Sequence, residues 1–139
     1  MKRLPKKMRA FCQEQKVMRL AFVDAHGYPR VVPVWFVMRG QEFFFGTHRN
    51  SAKGRLIQQN PRAGWVIDGG ASLRTYKGVS FWGRAEAVTD AHMWKTVWRA
   101  IGKKYYGSWQ DRNFQQLYTP DTLIFRLTPE RVFYWDYSE

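Results

Sequence analysis

The sequence predicts a mainly β protein, a small antiparallel barrel with short helices on its outside, and three observations carry that expectation. First, the stretches VMRLAFVD, RVVPVWFVM and FFFGT follow one another with only AHGYP and RGQE between them. Connections that short join antiparallel neighbours and leave no room for the crossover helix of a parallel sheet. Second, YKGVSFWGRAEAVT alternates, with Val79, Phe81, Gly83, Ala85 and Ala87 on one face and Ser80, Trp82, Arg84 and Glu86 on the other. That is the period of a strand. Third, helical periodicity is confined to short segments, so helices flank the sheet and do not build the fold.

Taken in order, Leu4, Met8, Phe11 and Cys12 share a helical face and Pro5 suits a first turn, so residues 4 to 15 read as a short helix. The three-stranded meander follows. Residues 51 to 60 form a second short helix, closed by Asn60-Pro61. RAGWVID is a strand ended by Gly69-Gly70, and the alternating strand comes next. Asp90 or Thr89 caps a helix with the apolar stripe Met93, Trp94, Val97, Trp98, Ile101 and Tyr105. Lys103 and Lys104 suit the dipole at its end, and Gly107 stops it. Residues 108 to 120 read as a polar loop, and TLIFRLTPERVFYWDY supplies one or two final strands. The sum is six or seven strands and three short helices in one domain, residues 1–139, without repeats or linkers.

A formal net charge of +12 predicts attraction to polyanions: nucleic acid, an anionic membrane face or a phosphorylated ligand. Seven Lys/Arg against the single acid Glu14 fall within the first nineteen residues, although such a cluster by itself is a solvated face. The lone cysteine, Cys12, forms no internal disulfide and reads as a semi-buried helix position rather than a catalytic thiol. No apolar run approaches the roughly 20 residues of a membrane span. MKRLPKKMRAF lacks the apolar stretch of a signal peptide, so the expected localisation is cytoplasmic. His26, His48 and His92 are far apart, with no CxxC or HxxxH spacing, so no metal site is expected. No paired-carboxylate or Ser/His/Asp arrangement is readable, which leaves any chemistry to a cofactor.

One stretch stands out. FFFGTHRNSAKGRL places Thr47, His48, Arg49, Asn50, Ser51, Lys53 and Arg55 where a strand ends and a helix begins, and no acidic residue occurs from Phe43 through Ile67. Lys53 and Arg55 fall in the helix's first turn, where cations oppose the macrodipole at about 0.3–1 kcal/mol each. An anion removes that conflict: free N–H groups and the dipole favour negative charge, and the Thr47 and Ser51 hydroxyls complete a phosphate cradle. A basic surface loop with Ser51 or Asn50 as an ordinary N-cap fits the spacing equally well. The GxxxxGK[ST] of a nucleotide P-loop is absent. Pro33, inside RVVPVWFV, marks an edge strand, a bulge, or a place where a flat ligand lies against the backbone.

In their order and spacing over residues 17 to 137, GYPRVVPVWF, FFFGTHRNSAKGRLIQQNPRAGWVI, GVSFWGRAEAV and LIFRLTPERVFYW resemble the pyridoxamine 5′-phosphate oxidase-like family of flavin-binding split barrels. The resemblance implies a mainly β (α+β) fold, a six-stranded antiparallel split β-barrel (Greek key) with short flanking helices. Two subunits of such a homodimer hold FMN at their interface. The family's threonine, serine and phosphate lysine fall on Thr47, Ser51 and Lys53. The arginine often found between the last two is Ala52 here, which leaves Arg55 or Arg49 to substitute. The segment against the isoalloxazine falls on Arg30 to Trp35, with contacts from Val32, Pro33 and Val34. Trp82 and Arg84 are the candidates from the partner subunit, and Trp135 resembles an aromatic placed near the cofactor.

The implied function is that of an FMN-dependent oxidoreductase acting on a small substrate. An F420-dependent reductase of the same fold is the alternative, because the basic charge suits a carboxylate-bearing deazaflavin tail. A non-catalytic flavin carrier has the same sequence signature. Haem binding also occurs among split barrels, with no positioned histidine arguing for it. From a different class, a nucleic-acid-binding small barrel would combine basic charge with aromatics. The exposed strand faces lack an aromatic-plus-basic alternation, so nucleic acid is disfavoured as a partner. Pyridoxamine-phosphate oxidases continue past the final strand with an arginine–histidine element. The chain here ends at Ser138-Glu139, so that substrate is not implied.

Overall fold

In the computed structural model, which describes residues 3–138, RVVPVWFVM is not one strand but two. The elements run α1 (Lys6–Glu14), β1 (Met18–Val23), β2 (Pro29–Val34), β3 (Val37–Arg39), β4 (Glu42–Thr47), α2 (Ala52–Gln59), β5 (Arg62–Gly69), β6 (Lys77–Ala87), α3 (Ala91–Tyr106), α4 (Arg112–Leu117) and β7 (Leu123–Asp136). Seven strands, all in antiparallel pairs, lie in the order β2-β1-β5-β6-β7-β4-β3. β2 and β3 are therefore the two edges of the sheet, yet only Trp35 and Phe36 separate them in the chain. Three Cα steps reach at most about 11 Å, so the sheet must curl until its edges approach. The product is a split barrel, mainly β with short helices, and its strand count is seven because the chain breaks at this bend.

The bend is held by α3. Phe36 donates its N–H to the Tyr105 hydroxyl (2.9 Å), and its carbonyl accepts from Lys104 Nζ (2.9 Å). The Tyr105 hydroxyl proton is directed at the carbonyls of Lys16 (2.7 Å) and Phe36 (3.0 Å). Buried backbone groups that leave a ladder need such partners. Burial, with Lys16 close by, lowers the Lys104 ammonium to about 8.

Two cores form because both faces of β4 are covered. Phe43 and Phe45 point into the barrel with Leu20, Trp65, Phe81 and Phe125, and α1 adds Met8, Phe11 and Cys12. Phe44 points the other way, against Val97 and Ile101 of α3 and Phe114 of α4. Cys12 is fully buried, and that burial pushes its thiol up to about 12, in keeping with a packing role.

The helix signals act as read. Asp90 Oδ2 accepts from Met93 N–H (2.8 Å) at the start of α3, and Gly107 (φ 81°) closes it in the left-handed region. Trp94 and Trp98 donate to the carbonyls of Thr122 (2.9 Å) and Tyr118 (2.8 Å), so they are packing residues. Two readings need correction. Residues 108 to 120 are not only loop, because Asp111 Oδ1 caps α4 through Phe114 N–H (3.0 Å). Pro5 is the N-cap of α1 rather than a first-turn residue. Of the one or two strands expected at the C-terminal end, the chain forms one, 14 residues long, that bulges opposite Trp82/Gly83. Met1, Lys2 and Glu139 lie outside the described residues. Among the described residues no helix is long and apolar enough to cross a membrane, and no cluster of His, Cys, Asp and Glu could hold a metal.

Candidate functional site

The basic stretch folds as a strand end feeding a capped helix. Ser51 Oγ accepts from Gly54 N–H (3.0 Å), and its carbonyl takes the first helical bond from Arg55 N–H (3.2 Å). Thr47, buried at the end of β4, shares a hydrogen bond with the same Ser51 Oγ (3.0 Å). Two hydroxyls carry two protons and this bond uses one, so one O–H remains to donate outward. The first-turn N–H groups of Ala52 and Lys53 have no intrahelical partner by helix geometry. A hydroxyl cap and an anion cradle are thus compatible: one Ser51 lone pair caps the helix while one of the two hydroxyl protons stays available to donate.

Lys53 brings this corner to an open groove of about 430 Å³. The groove is lined by Pro33, Val34 and Trp35 from the β2 end, by Gly46 and Lys53, and by Leu117 and Tyr118 at the end of α4. Burial alone lowers the Lys53 ammonium below its usual range. A neighbouring anion would favour the charged form and reverse that shift. A smaller cavity of about 190 Å³ shares Gly46, Leu117 and Tyr118 and continues to Thr47, His48 and Thr122. Asn50 N–H donates to His48 Nδ1 (3.1 Å). That bond puts the ring proton of a neutral imidazole on Nε2, which makes His48 a donor in this arrangement.

The groove's other end is aromatic. Trp35 stacks on Tyr105 (4.4 Å between centroids, 5° between planes) and lies parallel to Tyr118 (6.5 Å, 11°). Burial holds the phenols of Tyr105 and Tyr118 up at about 12, so both keep their protons at neutral pH.

The structure thus joins the segment around Pro33 to the Thr47–Ser51–Lys53 corner. Pro33 sits on an edge strand, which explains its tolerance, because β2 pairs only with β1 and leaves its other backbone edge unpaired. Val32 and Val34 pair with the buried Leu20 and Met18 and turn their side chains inward, whereas Val31 and Pro33 face out. What β2 offers the groove is therefore backbone and one proline ring. Arg30 shares the inward phase, is exposed at the strand start, and pairs with Asp24 at 4.0 Å. Arg55 is exposed and lies two residues from Lys53, about 200° around the helix, so it is not in the groove lining. Arg49 is exposed beside Asp121.

Trp82 and Trp135 are not in this groove. They share the outer face of the sheet with Gly64, Val66, Ser80, Phe133 and the exposed Arg131, and Trp82 is 47% and Phe133 61% exposed. The face continues through Ala21 to Val31, which is 65% exposed. Sequence reasoning missed Gly46, Leu117 and Tyr118. A readable signal existed: Asp111 followed by apolar Phe114, Leu117 and Tyr118 is a capped amphipathic turn.

Comparison with known proteins agrees with the architecture. The family profile described as pyridoxamine 5′-phosphate oxidase matches residues 4–136. The chain is 29% identical over 134 residues to the heme oxygenase HutZ of Vibrio cholerae, covering 93% of this chain and 74% of that protein. The crystal structure of HutZ, described as a heme storage protein, superposes with a TM-score of 0.77 at 27% identity, over 95% of this chain and 94% of that one. A conserved hypothetical protein of Mycobacterium tuberculosis shares the fold at TM-score 0.86 and 22% identity, over 97% and 86% of the two chains. So does a FAD-binding protein of Mesorhizobium loti, at TM-score 0.71 and 22% identity, over 93% and 92%.

Proposed function

The chain belongs to the pyridoxamine 5′-phosphate oxidase family, and from that premise we propose that it is a flavoprotein that binds FMN in the groove and acts as an oxidoreductase on a small organic substrate. The observation that carries this reading is that one groove joins the cation of Lys53 to the Pro33–Trp35 segment. Thr47, Ser51, Lys53 and the first-turn amides of α2 hold the phosphate. The free backbone edge of β2 reads the polar edge of the ring system, and Pro33 with Trp35 shapes the space beside it. When bound, FMN supplies hydride and single-electron transfer, and the protein orients it and excludes water. The buried thiol of Cys12 and the protonated Tyr118 need no redox role of their own.

The site is completed by a second copy of the chain. The outer sheet face exposes Val31, Trp82 and Phe133 beside Arg131, and a two-fold contact that covers these apolar side chains makes a homodimer. Trp82, Arg84 and Trp135 of that second copy then close the groove from outside. A lone cysteine, which forms no internal disulfide, suits a cytoplasmic protein.

Haem is the competing occupant, favoured by the identity to HutZ. His48 is the histidine at the groove, and its Nδ1 accepts from Asn50 N–H. To bind iron through Nε2 it would give up that bond, so the local geometry favours an anion. The absorption spectrum of freshly purified protein, with mass spectrometry of the released ligand, decides. A flavin spectrum and an FMN mass support the proposal, a Soret band or a deazaflavin mass overturns it, and normal FMN affinity in a Ser51→Ala/Lys53→Ala double variant refutes the phosphate corner.

A further inference from the structure

A second cavity, of about 440 Å³, lies at the opposite end of β4 from the groove, between the start of α1 and the turn that joins β3 to β4. It falls within the roughly 300–1,000 Å³ typical of small-molecule sites. Its walls differ in polarity. The floor is apolar, formed by Met38 and by Phe43 and Phe81, which are each 1% exposed. The rim carries three cations, Arg3, Lys6 and Arg9, and no lining residue is acidic. Among the described residues no carboxylate pairs with any of the three, whereas neighbouring Lys7 pairs with Asp136 (3.2 Å). Lys6 also stands in the first turn of α1, where the helix dipole opposes a cation.

Three uncompensated cations over an apolar floor define the missing partner. An inorganic anion would satisfy the rim and leave the floor wet. A neutral apolar molecule would cover the floor and leave the charges unpaired. We propose that this cavity is a second binding site, separate from the groove, for a small amphipathic carboxylate, with its head among Arg3, Lys6 and Arg9 and its apolar body on Met38, Phe43 and Phe81. The site needs nothing from the groove and stands whichever cofactor the groove holds.

The test is calorimetric titration of the purified protein with decanoate, with decanol and acetate as partial ligands. The expected result is saturable binding of decanoate, one per chain, with decanol and acetate weaker by about tenfold or more. Lys6→Gln/Arg9→Gln, at the solvent-facing rim, should weaken decanoate by about tenfold or more without moving the melting temperature. Met38→Trp, which fills the cavity, should abolish binding. If that variant does not fold, the Lys6/Arg9 pair decides alone. Absence of saturable binding, equal affinity for decanol, or unchanged affinity in the double variant overturns the proposal.

Discussion

Replacing Ser51 by aspartate separates the two roles that the structure gives this residue. Its Oγ accepts from Gly54 N–H at 3.0 Å and so caps α2, and the same oxygen stands in the corner proposed to hold phosphate. Aspartate caps about as well as serine, and its charge gains a further 0.3–1 kcal/mol or so from the helix dipole. Without ligand, Ser51→Asp should therefore be as stable as the parent or up to about 1 kcal/mol more stable. A carboxylate about 4 Å from a phosphate charge is repelled by about 4 kcal/mol at the effective dielectric of a protein surface. Even half of that corresponds to about thirtyfold in affinity. Urea unfolding of the cofactor-free protein and fluorescence titration with FMN measure the two quantities. Ser51→Ala is the comparison, expected to lose about 0.5–2 kcal/mol of stability with the cap. A Ser51→Asp protein that is destabilised by more than about 1 kcal/mol refutes the capping geometry. One that is stable but binds FMN normally refutes the phosphate corner.

Further expectations follow from other parts of the molecule. Trp82→Glu removes an exposed aromatic from the proposed two-fold contact and should shift the protein toward monomer in sedimentation velocity while its circular dichroism stays unchanged; an undisturbed dimer would place the interface elsewhere. A Cβ at Gly83 would lie 2.1 Å from the Thr128 carbonyl, against unyielding backbone, whereas one at Gly64 meets nothing nearer than 3.5 Å. Gly83→Ala should therefore cost at least the about 1–3 kcal/mol of overpacking and Gly64→Ala almost nothing, read from denaturant midpoints. Lys104 has its ammonium lowered from 10.5 to about 8, so the folded state binds fewer protons than the unfolded chain between those values. Its penalty is full below about pH 8 and is relieved as pH rises, so the parent should gain stability relative to Lys104→Met between pH 7.5 and 9.5. A flat difference curve would show that the amine is not desolvated.

Much of this protein is written locally. Alternation in GVSFWGRAEAV, the Asp90 cap with the Met93–Tyr105 stripe, and Gly107 at a positive φ specify their elements without reference to the rest of the chain. The same holds for the corner proposed to hold phosphate, because Thr47, Ser51 and Lys53 are set by one strand end and one helix start. Local rules misled at two places. RVVPVWFVM carries a continuous strand pattern, and nothing within it shows that Trp35–Phe36 leaves the ladder; the partners that hold the bend, Lys104 and Tyr105, lie about seventy residues away, at separations of 68 and 69. The SWQDRNFQQLY stretch is polar enough to read as loop, and its helix signal, the Asp111 cap followed by Phe114 and Leu117, spans only two turns.

The sequence by itself determined most strands, the caps, the basic charge and the composition of the Thr47–Ser51–Lys53 corner, because hydrophobic period, turn chemistry and first-turn donors act over a few residues. Tertiary structure alone decided what that corner faces. Curling the sheet brought the edge strand β2, the Gly46 end of β4, Lys53 of α2 and Tyr118 after α4 into one groove, and it left Trp82 and Phe133 together on the outside. It also left Arg3, Lys6 and Arg9 over an apolar floor made by strands far along the chain. Those juxtapositions depend on long-range pairing and packing, which no short stretch encodes.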